Sequence, residues 1–250
     1  MSLIIRSDFN GVTDPDAGAY IAAVENADAQ PLEFAVGKAI NDFVVGCKAD
    51  GIWNAIKASC ILAGARTLSG ALVPLVGAAP TNNNFVSGDY NRKTGLNSST
   101  GFLNSNRAST DDPLNNIHAA IYMPNKAPTN VSFKPFTQTT GTTSTEILVY
   151  NPDSLYVYCR NGSDTLTGSY SSRLNFLGVS RNSASNFNHR TAGSTIQVNL
   201  ASSGTGSGNF RLATGSTGRL AFYSIGTFLD LALLDTRVTA LINAFGAAIP

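Results

Sequence analysis

The chain has little charge. Of its 250 residues only 13% are Asp, Glu, Lys or Arg, and the net charge is +1. That balance makes no electrostatic case for nucleic-acid binding, which needs a basic face or stripe. Glutamate is confined to Glu25, Glu33 and Glu146, and histidine to His118 and His189. The two histidines are far apart in sequence with no cysteine near either, so no metal site and no cofactor is expected. Cysteine is limited to Cys47, Cys60 and Cys159, without C-x-x-C spacing. Neither a disulfide framework nor a zinc site fits an odd, scattered set; buried free thiols do. No run approaches the roughly 18 apolar residues of a membrane span. The leader Met1–Gly11 has an apolar run too short for a signal-peptide core, with Arg6 and Asp8 close behind it, so folding in a cytoplasm is expected.

Asn, Ser, Thr and Gly are abundant instead, a composition common among extracellular or particle-surface β proteins. The chain changes character across Asn41–Leu75, which carries the single tryptophan, Trp53. Before it, apolar residues recur at helical spacing. Asp14-Pro15-Asp16 is a helix start with Asp14 as cap, and Ala17, Tyr20, Ile21 and Val24 share one face. Asn26–Gln30 breaks that helix. Pro31 opens a second, with Glu33 in its first turn and an apolar stripe running from Leu32 to Phe43. Asp50 caps an expected third helix carrying Ile52, Trp53 and Ile56.

After Ala58 the pattern is that of strands: Ser59–Leu62, Ala71–Val76 at an edge because of Pro74, Phe85–Ser87, Gly101–Asn104, Ile117–Met123 and Val131–Phe136. Glu146–Tyr150 and Leu155–Arg160 form a hairpin about the turn Asn151–Ser154. Arg173–Ser180, Asn186–Arg190, Thr195–Leu200 and Arg219–Ile225 follow. In Thr195–Leu200 the apolar Ile196, Val198 and Leu200 alternate with Gln197 and Asn199. The Gly-rich Gly204–Gly208 lacks the strand–helix setting of a phosphate loop and reads as a flexible hairpin loop. Many short strands with regular turns give a mainly β chain, a two-sheet antiparallel jelly-roll sandwich. The expected division is a lead-in and helical attachment unit at 1–57, a jelly roll at 58–228 and a C-terminal helix at 229–250.

That last helix, capped by Asp230, carries Leu231, Leu234, Val238, Leu241 and Phe245 at steps of three and four. Such a stripe must be buried. Two partners are open: the chain's own helices or sheet, or the same stripe on symmetry mates, which makes these five the candidate oligomer interface, with a trimer favoured. Candidate ligand-binding residues are aromatic. Tyr156 and Tyr158 face outward if Leu155, Val157 and Cys159 face the core. Tyr90 stands beside Arg92 in a loop. Tyr with nearby Asn and Arg suits wet recognition of sugars or protein. Asp111-Asp112 is read as a solvated loop start, with too few oxygens for calcium.

The segments LEFAVGKAINDFVVGCKADGIWNAIKASCILAGARTLSGALVPL, FVSGDYNRKTGL, NFLGVSRNS and GRLAFYSIGTFLDLALLDTRVTALINA resemble a group of tailed-phage and prophage proteins with concanavalin A-like, laminin-G-type jelly rolls. The resemblance runs from about Pro15 onward. It implies a virion part assembled in the host cytoplasm, displayed as a tail-fibre, baseplate or receptor-binding component. Its partners would be other virion proteins and a host-surface glycan. The alternative is a capsid decoration protein that clamps the head; a free lectin-like module is a third option. The related glycosidases use paired carboxylates on one strand, and hydrolysis needs two. Here Glu146 is followed at i+2 and i+4 by Leu148 and Tyr150, so no catalytic residue, and no enzyme, is expected.

Overall fold

The computed structural model describes residues 11–97, 101–125, 133–140, 144–150, 154–162, 165–169, 175–215 and 218–250. Two helices come first, α1 (Pro15–Asp28) and α2 (Phe34–Ala49), followed by β1 (Ile56–Ile61) and the short α3 (Leu68–Ala71). The strands β2 (Thr81–Asn83), β3 (Tyr90–Asn91), β4 (Gly95–Asn97), β5 (Phe102–Ala108) and β6 (Ile117–Met123) lead into β7 (Phe133–Thr140), β8 (Ser144–Tyr150), β9 (Ser154–Asn161) and β10 (Thr165–Ser169). The chain continues through β11 (Asn175–Arg181), β12 (Phe187–Thr191), β13 (Ser194–Val198), β14 (Ser207–Thr214), β15 (Arg219–Leu220) and β16 (Phe222–Gly226), and closes on α4 (Leu231–Ala248).

The strands build a six-stranded sheet, order β1-β16-β6-β11-β12-β13, a seven-stranded sheet, order β10-β9-β8-β7-β14-β5-β2, and a small sheet β15-β4-β3. Every strand pairing among the described residues is antiparallel. The inner faces of the two large sheets close over one apolar core containing Ile117, Ile121, Phe136, Ile147, Val157 and Phe210. A second core lies on the other side of the six-stranded sheet. There Ala120, Tyr122, Phe176 and Phe222 meet Ile21, Val36, Phe43 and Val44 of the helices. The molecule is therefore a sandwich with a helical layer on one face, and β6 and β11 are buried on both sides.

Local chemistry explains the helix ends. Asp14 Oδ1 accepts the amides of Asp16 and Ala17 at 2.9 and 3.3 Å, and Pro15 occupies the first turn, where its missing N–H costs nothing. Ala29 adopts a left-handed conformation, φ 54, that ends α1. Asp230 caps α4 through Ala232 N at 2.7 Å. Glu33 is the N-cap of α2 rather than a first-turn residue, and makes no side-chain cap bond, because its carboxylate is held by Arg66 and Arg92.

Several sequence expectations are corrected. The third helix is a single turn, Trp53–Ala55, because Ile56 already pairs with Gly226 in β1. Ala71 ends α3, and the Leu72–Val76 stretch that follows, with Pro74 in it, is irregular, held to β1 by the isolated bridge of Val76 to Ser59 and by Leu75 N to Ser59 O. Phe85–Ser87 is not a strand, since Phe85 N bonds Asn82 Oδ1 at 2.9 Å in a side-chain-closed turn. The Gly204–Gly208 loop runs directly into β14 and is anchored, not free. Arg160 donates to Thr205 O at 2.6 Å, and Arg181 to Leu200 O at 2.9 Å. The alternation expected in 195–200 does not show in β13: Ser194–Gln197 are all exposed, Ile196 at 44%, and only Val198 at its end packs partly inward, because β13 is the edge strand of its sheet among the described residues. The expected turn Asn151–Ser154 lies, over 151–153, outside the described residues.

The α4 stripe lies in the chain's own core. Leu231, Leu234, Val238, Leu241 and Phe245 are 0–2% exposed, packed in the helical core with Phe43, Val44 and Phe222. Of the two partners open from sequence, the same chain is the one observed. These five residues leave no apolar surface for a symmetry mate.

Candidate functional site

Tyr90 and Arg92 were candidates because an aromatic beside a cation suits recognition. The structure turns both inward. Tyr90 Oη donates to Ala65 O at 2.8 Å. Arg92 clamps Glu33 with Nη1 to Oε1 at 3.0 Å and Nη2 to Oε2 at 2.6 Å. The same guanidinium donates to Ala65 O at 3.0 Å and Gly64 O at 3.1 Å. Arg92 thereby holds the Glu33 carboxyl below the usual range. The pair latches the 64–66 segment and the start of α2 together, and these contacts take four of the five guanidinium N–H donors.

Tyr156 and Tyr158 do face outward on β9, half-buried, while Leu155, Val157 and Cys159 enter the core. They lie opposite Leu148 and Glu146 on β8. Glu146 is itself occupied, accepting from Thr137 Oγ1 at 2.7 Å and Lys134 Nζ at 3.1 Å. The helical layer covers the other large sheet, so the four tyrosine and arginine candidates do not converge on one site.

A different place has the shape of a site. An open cleft of about 570 Å³ lies between α1, the turn 53–57 and the segment Pro74–Gly77, within the size range of ligand pockets. Helical periodicity puts Asp16, Ala19 and Ala23 on the α1 wall, and the two alanines keep that wall low. Trp53 and Asn54 form the turn, with Lys57 just beyond on β1. The opposite wall is set by Gly77. Its φ is +84, and a Cβ there would collide with the Lys57 carbonyl oxygen, so only glycine brings the wall this close. Hydrogen bonds from Ser59 N to Val76 O at 3.0 Å and from Leu75 N to Ser59 O at 2.8 Å fix it to β1.

The cleft's charges are ordered. Lys48 Nζ lies 2.8 Å from Asp14 and 2.7 Å from Asp16, and sits 5.7 Å from the centroid of the Trp53 ring, a cation–π distance. Lys48 thus joins the first turn of α1, the last turn of α2 and the indole. The hydrogen bond with Lys48 holds the Asp14 carboxyl below its ordinary value. By contrast, the Trp53 indole N–H, the Asn54 amide and the Lys57 ammonium have no hydrogen-bond partner among the described residues. The sequence signal that marked this place was the lone Trp53; its partners are remote in the chain.

The other titratable groups are structural. His118 is fully buried; its Nδ1–H donates to Thr227 O at 2.6 Å, and its Nε2 accepts from Ser224 Oγ at 2.8 Å. Burial pushes its pKa down to about 4. Asp112 is buried against Arg107, with contacts of 2.8 and 2.6 Å. It is not the solvated loop residue expected. Cys47, Cys60 and Cys159 are free and buried, and desolvation pushes each thiol up to about 12, which makes them poor nucleophiles. Among the described residues no group of three His, Cys, Asp or Glu side chains is placed to hold a metal ion.

The sequence matches no protein-family profile and no curated protein. The fold does have counterparts among solved structures. The botulinum neurotoxin serotype D binding domain aligns with TM-score 0.51 and 12% identity over 75% of this chain and 52% of that one. The serotype D/C VPI 5993 binding domain aligns with TM-score 0.50 and 14% identity over 77% and 52%. A Trypanosoma rangeli sialidase aligns at TM-score 0.45 and 10% identity over 82% and 39%, too distantly to bear on chemistry. The chain spans 39–52% of the length of the neurotoxin structures it matches. The fold is that of the β-sandwiches found in binding domains, and at these identities the likeness extends to the fold alone.

Proposed function

We propose that this protein is a non-catalytic recognition module of a tailed-phage particle, displayed as a tail-fibre, baseplate or receptor-binding component. The observation that carries the recognition part is the Trp53 cleft. It is preformed, it has unpartnered donors, and its single lining carboxylate, Asp16, is already committed to Lys48. A hydrolase of glycosides would need two carboxylates across the bond. The particle assignment rests on the sequence resemblance, and the binding-domain sandwich is compatible with it. A symmetric homo-oligomer, with a trimer favoured, belongs to this reading. Its contacts lie outside the α4 stripe, which the monomer buries.

Quantitative mass spectrometry of purified particles, separated into heads and tails, tests the assignment. The expected result is the protein in the tail fraction in a small symmetric set. Absence from particles overturns the reading. A copy number matching the head lattice replaces it with the decoration role.

A further inference from the structure

We infer that the Trp53 cleft is a saccharide site that takes a neutral hexopyranose ring against the indole, an inference that rests on the recognition reading above. Three features point to this ligand class. First, the sole tryptophan lies half-buried in the cleft rather than sealed in a core. An indole kept in place offers a flat apolar surface that the C–H face of a pyranose covers, and Lys48 keeps it there. Second, the polar groups around it are those that read hydroxyls. Asp16 presents Oδ1 as an acceptor, its Oδ2 being held by Lys48, and Asn54 and Lys57 present donors without protein partners among the described residues. A carboxylate beside an amide and an ammonium can accept from and donate to neighbouring hydroxyls on one ring. Third, the two charged lining residues, Asp16 and Lys57, have opposite sign. Neither a polyanion nor a polycation gains from that pair, which selects an uncharged sugar.

The frame favours binding because it is built before the ligand arrives. The Lys48 bridge between Asp14 and Asp16 fixes the α1 wall, and Gly77 fixes the opposite one. A rigid site loses less order on binding. The remaining candidate surface, the outer face with Tyr156 and Tyr158, has its nearest acid, Glu146, already bonded to Thr137 and Lys134.

The molecule has its own reporter, because Trp53 is the only tryptophan and all indole emission comes from the cleft. The full chain is titrated with maltotriose, cellotriose and triacetylchitotriose while that emission is followed. The expected result is a saturable change with at least one of them. Asn54→Ala and Asp16→Asn should each weaken it by about tenfold or more with the far-UV spectrum unchanged. Gly77→Val should abolish it by displacing the wall. No change with any of the three at millimolar concentration overturns the inference, as does equal affinity in both the Asp16 and Asn54 variants. Failure of the recognition reading is separately visible. A protein that ignores all three sugars yet still blocks phage adsorption to host cells binds elsewhere on its surface. One that does neither is not a recognition module.

Discussion

Arg92 and Glu33, 59 positions apart, form a two-pronged ion pair that ties β3 and its following turn to the N-cap of α2. Two further hydrogen bonds from the same guanidinium satisfy the carbonyls of Gly64 and Ala65. A residue that looked available for a ligand is thus a fastener between the helical layer and the sandwich. Arg92→Ala removes the two-pronged clamp from Glu33, which keeps only Arg66, and the donor from Gly64 O, while Ala65 O keeps Tyr90; it should cost roughly 1–3 kcal/mol. Urea unfolding measures it, and trisaccharide titration of the same variant should be unaffected.

The segment held by Arg92 also carries a packing constraint. Gly64 has φ +86, and a Cβ there would lie 2.8 Å from Phe245 Cε2. Phe245 is completely buried and has nowhere to move. Gly64→Ala combines left-handed backbone strain with overpacking and should lose roughly 2–4 kcal/mol. A thermal melt close to wild type would show that the α4 end yields more readily than its burial implies.

The α4 stripe gives a third expectation. Leu234→Ala should destabilise the chain by roughly 2–5 kcal/mol, the range for an emptied Leu site in a core. Leu234→Asp with Leu241→Asp should unfold it altogether. Light scattering and circular dichroism distinguish this from an interface. A folded double variant of reduced oligomeric state would contradict the same-chain packing.

His118 makes stability depend on pH. Its folded pKa is about 4, below the roughly 6.5 of an exposed histidine. Between those values the unfolded chain binds the extra proton and the folded chain does not. The contribution of neutral His118 is therefore complete above about pH 6.5 and is lost as pH falls towards 4, by roughly 3 kcal/mol across the window. Denaturant midpoints for wild type and His118→Asn over this range should show the slope in the first and a flatter line in the second.

Much of the architecture was legible because it is set locally. The Asp14 and Asp230 caps, the apolar face of α1 and the 146–160 hairpin all follow from spacing and cap chemistry within a few residues. β14 was missed because Gly206 and Gly208 give it the look of a turn. Its identity as a strand comes from pairing with both β5 and β7 through irregular registers. The sequence around Trp53 points to a longer helix, since Asp50 and Ile52 offer a start, and only the pairing of Ile56 with Gly226 ends that turn. The cleft itself was out of reach. Its parts, Asp16, Trp53 and Gly77, belong to separate segments that meet only after the helices dock. Tyr90 with Arg92 misled for a related reason: the residue types that grip a sugar also grip Glu33 and a backbone carbonyl.

The most direct test of recognition through the cleft is an adsorption assay. Purified wild-type protein, incubated with host cells before phage is added, should slow adsorption in proportion to its concentration. Trp53→Ala protein of unchanged far-UV spectrum should leave the rate where it was. Adsorption that is equally fast with and without saturating wild-type protein, or equally slowed by the Trp53→Ala variant, contradicts the account.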